Sequence, residues 1–256
     1  MLSQSFAAIA ACVTGLALVP VAELRAQTPP LRVLVSNGMK AAVEDLRSQA
    51  EREIGRPLEL KFNSTAGIRQ QIQAGEAFDV TVVTSEAIGE LIQQGKLAAA
   101  SRSEIARSEL GIGIRAGTPK PDIKSPDSLK RALRAAASIT FPKDGASRGY
   151  IEGMFEKLGI AADVKPKIIL AEGSAAATES VAAGKAAMVI TLFSEIVPIK
   201  GVEILGPLPG EYHYDIRFAA AASSSTKNAD AAKKLIAFLA GPAPLKVFKA
   251  KGLERK

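Results

Sequence analysis

"LELKFNSTAGIRQQIQAGEAFDVTVVTSEAIGELIQQG", residues 58–95, holds two apolar bursts of strand length, "LELKF" and "FDVTVV". Each is followed by a stretch with helical spacing that closes on a glycine, Gly75 and then Gly95. Strand, helix, strand, helix in this order predicts parallel strands joined by crossover helices. Between the first strand and the first helix stand Ser64 and Thr65. Their hydroxyls suit a helix cap, and they equally suit a group bound at the helix start.

The same rhythm extends in both directions. Upstream, "LRVLVS" (31–36) leads into "MKAAVEDLRSQAEREIG", where Val43, Leu46, Ala50 and Ile54 recur at helical spacing before Gly55 and Pro57 end the pattern. Downstream come "ASITF", a helix to Gly159, "KPKIIL", a helix to Gly184, and "AAMVITL". Alternation of this kind predicts an α/β fold with helices on the faces of its sheets.

Two features predict two lobes. "IQAGEAFDVTVV" (72–83) and "VAAGKAAMVITL" (181–192) share one layout of helix end, glycine, charged residue and strand, each preceded by a hydroxyl-bearing helix start. "ELGIGIRAGTPKPDIKSP" (109–126) reads as a strand that turns Pro-rich, as a crossing between lobes would, and "EYHYDIRFAAAASSS" (211–225) suits a return crossing. The expected division is residues 27–110 with 211–256 in lobe 1 and residues 111–210 in lobe 2. In open α/β sheets ligands bind beyond the carboxyl ends of strands, so a cleft between the lobes is the expected site.

The chain has 256 residues, 47% of them apolar and 23% charged, which is the composition of a folded globular protein with a sizeable core. An apolar run from Phe6 to about Ala22, followed by small Ala26, predicts a secretory signal over residues 1–26, although it lacks a basic residue ahead of the run. The one cysteine, Cys12, lies inside it. The mature chain would carry no thiol, which excludes a cysteine nucleophile. No other stretch is apolar enough to span a bilayer, so no membrane insertion is expected after cleavage. The net charge of +7 suits anionic ligands, or simply a lysine-rich surface.

Catalytic types are scarce. His213, in "EYHYD", is the one histidine, and no G-x-S-x-G elbow accompanies it. One imidazole without thiolates makes a poor zinc or iron site. No phosphate loop occurs, and the chain lacks the basic helix or basic–aromatic interleaving of nucleic-acid binders. No cofactor is called for, and no enzyme is expected. A hydrolase using Asp79 or Asp144 remains an alternative.

Helix starts are more informative. The N-terminus of a helix exposes unpaired N–H groups and roughly half a positive charge, so acids normally gather in its first turn. Glu86, Asp127 and Asp230 follow that rule after Ser85, Ser125 and Asn228. After Asn37, Thr65, Ser147 and Ser174 no acid follows. Each of these four starts comes after a strand, and two fall in each expected lobe. An outside anion would take the place of the missing acids. Ordinary capping explains any single one of them.

These stretches resemble the molybdate-binding proteins of ABC importers, within the two-lobed periplasmic solute-binding class. "LRVLVSNGMKAAVEDL", "FNSTAGIRQQIQAGEAFDVTVVTSEAIGELIQQGKL", "GASRGYIEGMFEKLGI", "GVEILGPLP" and "AAKKLIAFLAGPAPLKVFKAKGLE" carry the resemblance, which covers nearly all of residues 31–254. It implies a type II periplasmic-binding-protein fold, each lobe a mixed, mainly parallel sheet flanked by helices. It also implies oxyanion donors at Ser36, Asn37 and Gly38 and at Ser64 and Thr65 from one lobe. From the other lobe it implies backbone at Ala146 and Ser147 and at the Gly173–Ser174 turn. Such proteins place a tyrosine after the strand matching "MVIT"; here the position falls at about Leu192 or Phe193, which cannot donate. An anion oxygen left unpaired there costs about 1–3 kcal/mol, so the anion need not be molybdate.

The expected protein is therefore a periplasmic, monomeric binding component that closes on a molybdate- or tungstate-like oxyanion and delivers it to an ABC permease. A small organic carboxylate as ligand, or a periplasmic sensor as partner, are the alternatives. Arg148 either adds charge for a carboxylate or faces solvent.

Overall fold

The computed structural model describes residues 28–255, so the expected signal segment lies outside the described residues. In chain order the elements are β1 (Leu31–Ser36), α1 (Lys40–Ile54), β2 (Leu58–Asn63), α2 (Thr65–Gln73), β3 (Val80–Thr84), α3 (Ser85–Gln93) and β4 (Ser103–Arg115). Then come α4 (Pro126–Ala135), β5 (Ile139–Pro142), α5 (Arg148–Lys157), α6 (Ala161–Val164), β6 (Ile168–Ala171), α7 (Ser174–Ala182), β7 (Met188–Leu192) and α8 (Phe193–Ile196). β8 (Val202–Pro207), β9 (Asp215–Ala222), α9 (Ala229–Ala240) and α10 (Leu245–Ala250) complete the fold.

The strands pair in the order β2-β1-β3-β9-β4-β7-β5-β6, with β8 added alongside β4. β2, β1 and β3 are mutually parallel, as are β7, β5 and β6. Every antiparallel pairing involves β4 or β9. The expected mixed sheet is present, parallel within each three-stranded unit and antiparallel where the chain crosses between them. β4 is 13 residues long and changes partners along its length. Ser103–Glu109 pair with β9, whereas Leu110–Ile114 pair with β7 and Gly111–Arg115 with β8.

Strands covered by helices on both faces should be apolar on both, with successive residues sent to opposite sides. In β1, Val33 and Val35 join the core beneath α1 and α9, while Leu34 joins Ile68, Ile72, Ile88 and Leu91 of α2 and α3. β9 divides its alanines the same way, Ala219 and Ala221 to one side and Ala220 and Ala222 to the other. In the second unit Ala177 and Val181 of α7 pack with Val189 and Ile196. The repeated layout is real in three dimensions. α2 and α7 each have 9 residues, β3 and β7 each have 5, and a helix follows each of those strands at once.

Asp79, which the sequence offered as a possible cleft acid, instead ties the start of β3 to its neighbours. Its buried carboxylate accepts from Thr226 Oγ1 at 2.6 Å, Asn228 Nδ2 at 3.0 Å and the Arg32 N–H at 2.9 Å. Burial alone would raise its pKa, but these hydrogen bonds outweigh it and hold the carboxyl below the ordinary aspartate value.

Candidate functional site

Parallel strands bring their carboxyl ends to one edge, and the turns that leave them there become neighbours. The β1 turn carries Ser36, Asn37 and Gly38, and the β2 turn carries Ser64 and Thr65. The β5 turn carries Ala146 and Ser147, the turn after β6 carries Ser174, and β7 ends at Leu192. All of these residues line a single cavity. Ile216 and Phe218 of β9 wall it, because that strand runs the other way and its first half lies at the same edge.

With one exception, α8, the helix starts sort as the missing acids predict. α1, α2, α5 and α7 have no acid in the first turn, and all four begin at the cavity. α3, α4 and α9 carry Glu86, Asp127 and Asp230 and begin elsewhere, whereas the four-residue α8 begins at the cavity and carries Glu195 in its first turn. The six-residue α10 also lacks an acid and is not at the cavity.

Ser64 is the cap of α2, its Oγ accepting from the Gly67 N–H at 3.0 Å. That bond uses the oxygen and leaves the hydroxyl proton free for an acceptor in the cavity. Thr65 Oγ1 donates to Ser36 Oγ at 3.1 Å, so Ser36 likewise retains its proton. Capping and ligand binding do not compete for Ser64. Ser147 stands before α5 without a side-chain cap bond, and Ser36, Ser64, Thr65, Ser147 and Ser174 are all buried.

Two glycines shape the walls. A Cβ on Gly38 would lie 2.4 Å from Phe218 Cζ and 3.2 Å from Leu192 Cδ1, so only glycine lets the β1 turn approach. Gly173 turns the chain into α7 at φ 92°, a left-handed conformation that side chains resist.

The space open to a water's centre is ≈ 20 Å³. Taken as a sphere, with the water's radius of about 1.4 Å restored, it is a hollow about 3 Å in radius. That is the size of a compact tetrahedral ion. A second, outer pocket of ≈ 330 Å³ shares Asn37, Ser174 and Glu195 with it and adds Lys40, Glu44, Glu172 and Glu179.

No lysine or arginine is among the described residues lining the inner cavity. Arg148 faces solvent, paired with Glu152 at 2.9 Å and donating to Lys143 O at 2.7 Å. His213 is also exposed, its Nε2 3.8 Å from Glu109. Asp144 does reach the cavity rim, where its own side chain is exposed.

Sequence reading missed Glu195. It lines both pockets from α8, and although part of the residue is accessible its carboxyl sits in dense surroundings. Burial pushes this carboxyl above the ordinary glutamate range. Hydrogen bonds with Thr191, Ser174 and the Leu192 backbone pull the other way without cancelling the rise, and the charge of Asp144 adds to it. The available signal was an acid three residues after Leu192, the spacing of a helix-start acid.

Two parallel units joined by antiparallel crossings, with turns from both meeting around one cavity, define the periplasmic-binding-protein class of α/β folds. Within it, the chain belongs to the family of bacterial extracellular solute-binding proteins, whose pattern matches residues 31–254. It is 27% identical over 232 residues to an aconitate isomerase of Pseudomonas sp, covering 88% of this chain and 87% of that protein. It is also 27% identical over 234 residues to molybdate-binding protein ModA of Azotobacter vinelandii, covering 89% and 90%. The solved periplasmic molybdate-binding protein of Azotobacter vinelandii superposes with a TM-score of 0.70 at 21% identity, over 88% of this chain and 99% of that one. Among the described residues no helix is long and apolar enough to cross a membrane.

Proposed function

We propose that this chain is the periplasmic substrate-binding component of an ABC importer, exported by its N-terminal signal, and that it captures a small oxyanion of the molybdate or tungstate type. The observation that supports this most is the sorting of helix starts. The starts of α1, α2, α5 and α7 meet at the cavity without acids, while α3, α4 and α9, which start elsewhere, have them; α8 alone starts at the cavity with an acid, Glu195. Backbone N–H groups and neutral hydroxyls would hold the anion, with the helix dipoles supplying positive potential in place of a lysine or arginine. Residues 27–110 with 211–256 would form one lobe and 111–210 the other. Hinge motion would run through the two crossing strands, β4 and β9, and the closed, liganded monomer would dock on the permease.

A second reading is favoured by the outer pocket and by Glu195. A small organic carboxylate would seat one carboxyl group in the inner hollow and extend outward past Glu195. Glu195 could then move a proton, which is the chemistry an isomerase of a carboxylic acid needs. The resemblance to aconitate isomerase supports this reading, and the small hollow supports the first.

A thermal-shift screen against molybdate, tungstate, sulfate, phosphate, cis- and trans-aconitate and smaller carboxylates tests both, since a ligand raises the melting temperature by mass action. Stabilisation by the inorganic anions alone supports the first reading. Stabilisation by aconitate, with conversion of one isomer to the other followed by ultraviolet absorbance, supports the second. No stabilisation by any of them refutes both.

A further inference from the structure

We propose that Glu195 is the proton-carrying group of the site, so that the anion binds together with one proton held between a ligand oxygen and the Glu195 carboxyl. This rests on the binding reading above and specifies how that site accepts negative charge.

The geometry carries it. Glu195 lines both the inner hollow and the outer pocket and stands where they meet. Its carboxyl already accepts from the Thr191 hydroxyl. An anion placed in the hollow brings further acceptor oxygens against it, and two acceptors cannot bond without a proton between them. No lysine or arginine is among the described residues lining the inner hollow, and Lys40 is the one cation lining the outer pocket.

The charged groups around it point the same way. On the inner side Asp144 faces the cavity from the β5 turn. On the outer side stand Glu172 before α7, Glu179 within α7, and Glu44 and Lys40 on α1. Of these the charge of Asp144 acts directly on Glu195 and favours its neutral form, while Glu172 is paired with Lys143 at 2.6 Å. Its elevated pKa, described above, acts in the same sense. With the proton in place Glu195 donates O–H···O⁻ to the anion, a charge-assisted bond among the stronger kinds available. The bound pair carries one less negative charge than the anion and carboxylate apart.

The test is titration calorimetry on the mature chain with sodium molybdate and with trans-aconitate as probes, in two buffers of different ionisation heat, from about pH 5.5 to about pH 8.5. The wild type should take up a fraction of a proton near neutrality, rising toward about one per anion at the alkaline end. Its affinity should fall by up to about tenfold per pH unit there. Glu195→Gln, which keeps a permanent N–H donor, should bind with no proton uptake attributable to the protein and with a flat pH profile. Should Glu195→Gln fail to fold, Thr191→Val serves instead. It removes a donor that favours the charged carboxylate, so the pH at which affinity falls should move upward. Binding without proton uptake, or a Glu195→Gln profile that matches the wild type, overturns the proposal and leaves the binding reading standing. If the wild type binds neither these probes nor any anion of the thermal-shift screen, both fail together.

Discussion

Replacing Ser64 and Thr65 together with alanine separates their two roles, because fold stability and ligand response shift by different amounts. Ser64 caps α2 through the Gly67 N–H at 3.0 Å, a bond whose loss costs about 1 kcal/mol. Thr65 donates to Ser36 at 3.1 Å, and its loss costs about 1 kcal/mol more. For a chain of this size about 2 kcal/mol lowers the melting temperature by about 4–8 °C, which leaves a folded protein. Ligand at a hundredfold excess over Kd stabilises the wild type by about 2.7 kcal/mol, or about 5–11 °C. The Thr65 proton is given to Ser36, so the variant loses one direct bond to the anion, from Ser64, worth about 1.5–3 kcal/mol to a charged partner, and binding weakens by about 10- to 150-fold. At the same ligand concentration the stabilisation falls to about 0.3–1.3 kcal/mol, or about 1–5 °C.

The control comes from the repeated layout. Thr84 occupies the corresponding start of α3, its Oγ1 accepting from the Ala87 N–H at 3.4 Å, and it does not line the cavity. Thr84→Ala should lower the melting temperature by a few degrees and keep the full ligand-induced rise. Differential scanning fluorimetry with and without the best anion of the screen reads both quantities. An undiminished ligand shift in the double variant would refute the assignment, and so would its loss in Thr84→Ala.

Gly38→Ala should cost about 1–3 kcal/mol by overpacking against Phe218, and should weaken anion binding at least tenfold as the wall moves. Gly149→Ala, whose added Cβ meets nothing within 4 Å, should bind normally and be stabilised by about 0.5–1 kcal/mol, measured by urea unfolding. Asp79→Asn should destabilise by about 2–4 kcal/mol near neutrality, because one of its oxygens becomes an N–H₂ facing existing donors. Since the folded-state pKa of Asp79 is depressed, its contribution is present above the ordinary value of 3.8 and is lost as pH falls through the lower folded value. The gap between wild type and Asp79→Asn should therefore narrow only in that acid range. Arg255 donates to Leu239 O, Ala240 O and Gly241 O at the end of α9 and to Ile105 O. Arg255→Ala should speed hydrogen exchange in the last turn of α9 and leave anion affinity within about threefold.

Much of this molecule was legible because its signals are local. β1 occupies "LRVLVS" without a residue's difference, and the helices end where glycines follow their apolar periodicity. The missing first-turn acids were legible for the same reason, since a helix start is decided within one turn of chain. The first half of β4 was not. "SEIARSEL" carries charges that a strand pattern hides, and the structure satisfies them across strands, with Arg107 bridging Asp215 at 2.7 Å and Glu254 at 2.8 Å. β8 is only half buried, so its burial pattern does not alternate. Glu195 escaped because nothing near it in sequence says that its carboxyl will face the β1 and β5 turns.

The described residues lining the cavity include no cationic side chain, so whatever positive potential an anion meets there comes from peptide groups. Peptide groups are not encoded by any one codon. A scan that trims side chains one at a time would touch the hydroxyls and leave the four helix starts aimed at the same point. On the proposed anion-binding reading, descendants of this chain would exchange the residues around the hollow, and with them the preferred anion, while inheriting its appetite for negative charge intact. Abolishing that appetite would take an insertion or a proline that turns a helix away, a far rarer event than a point substitution.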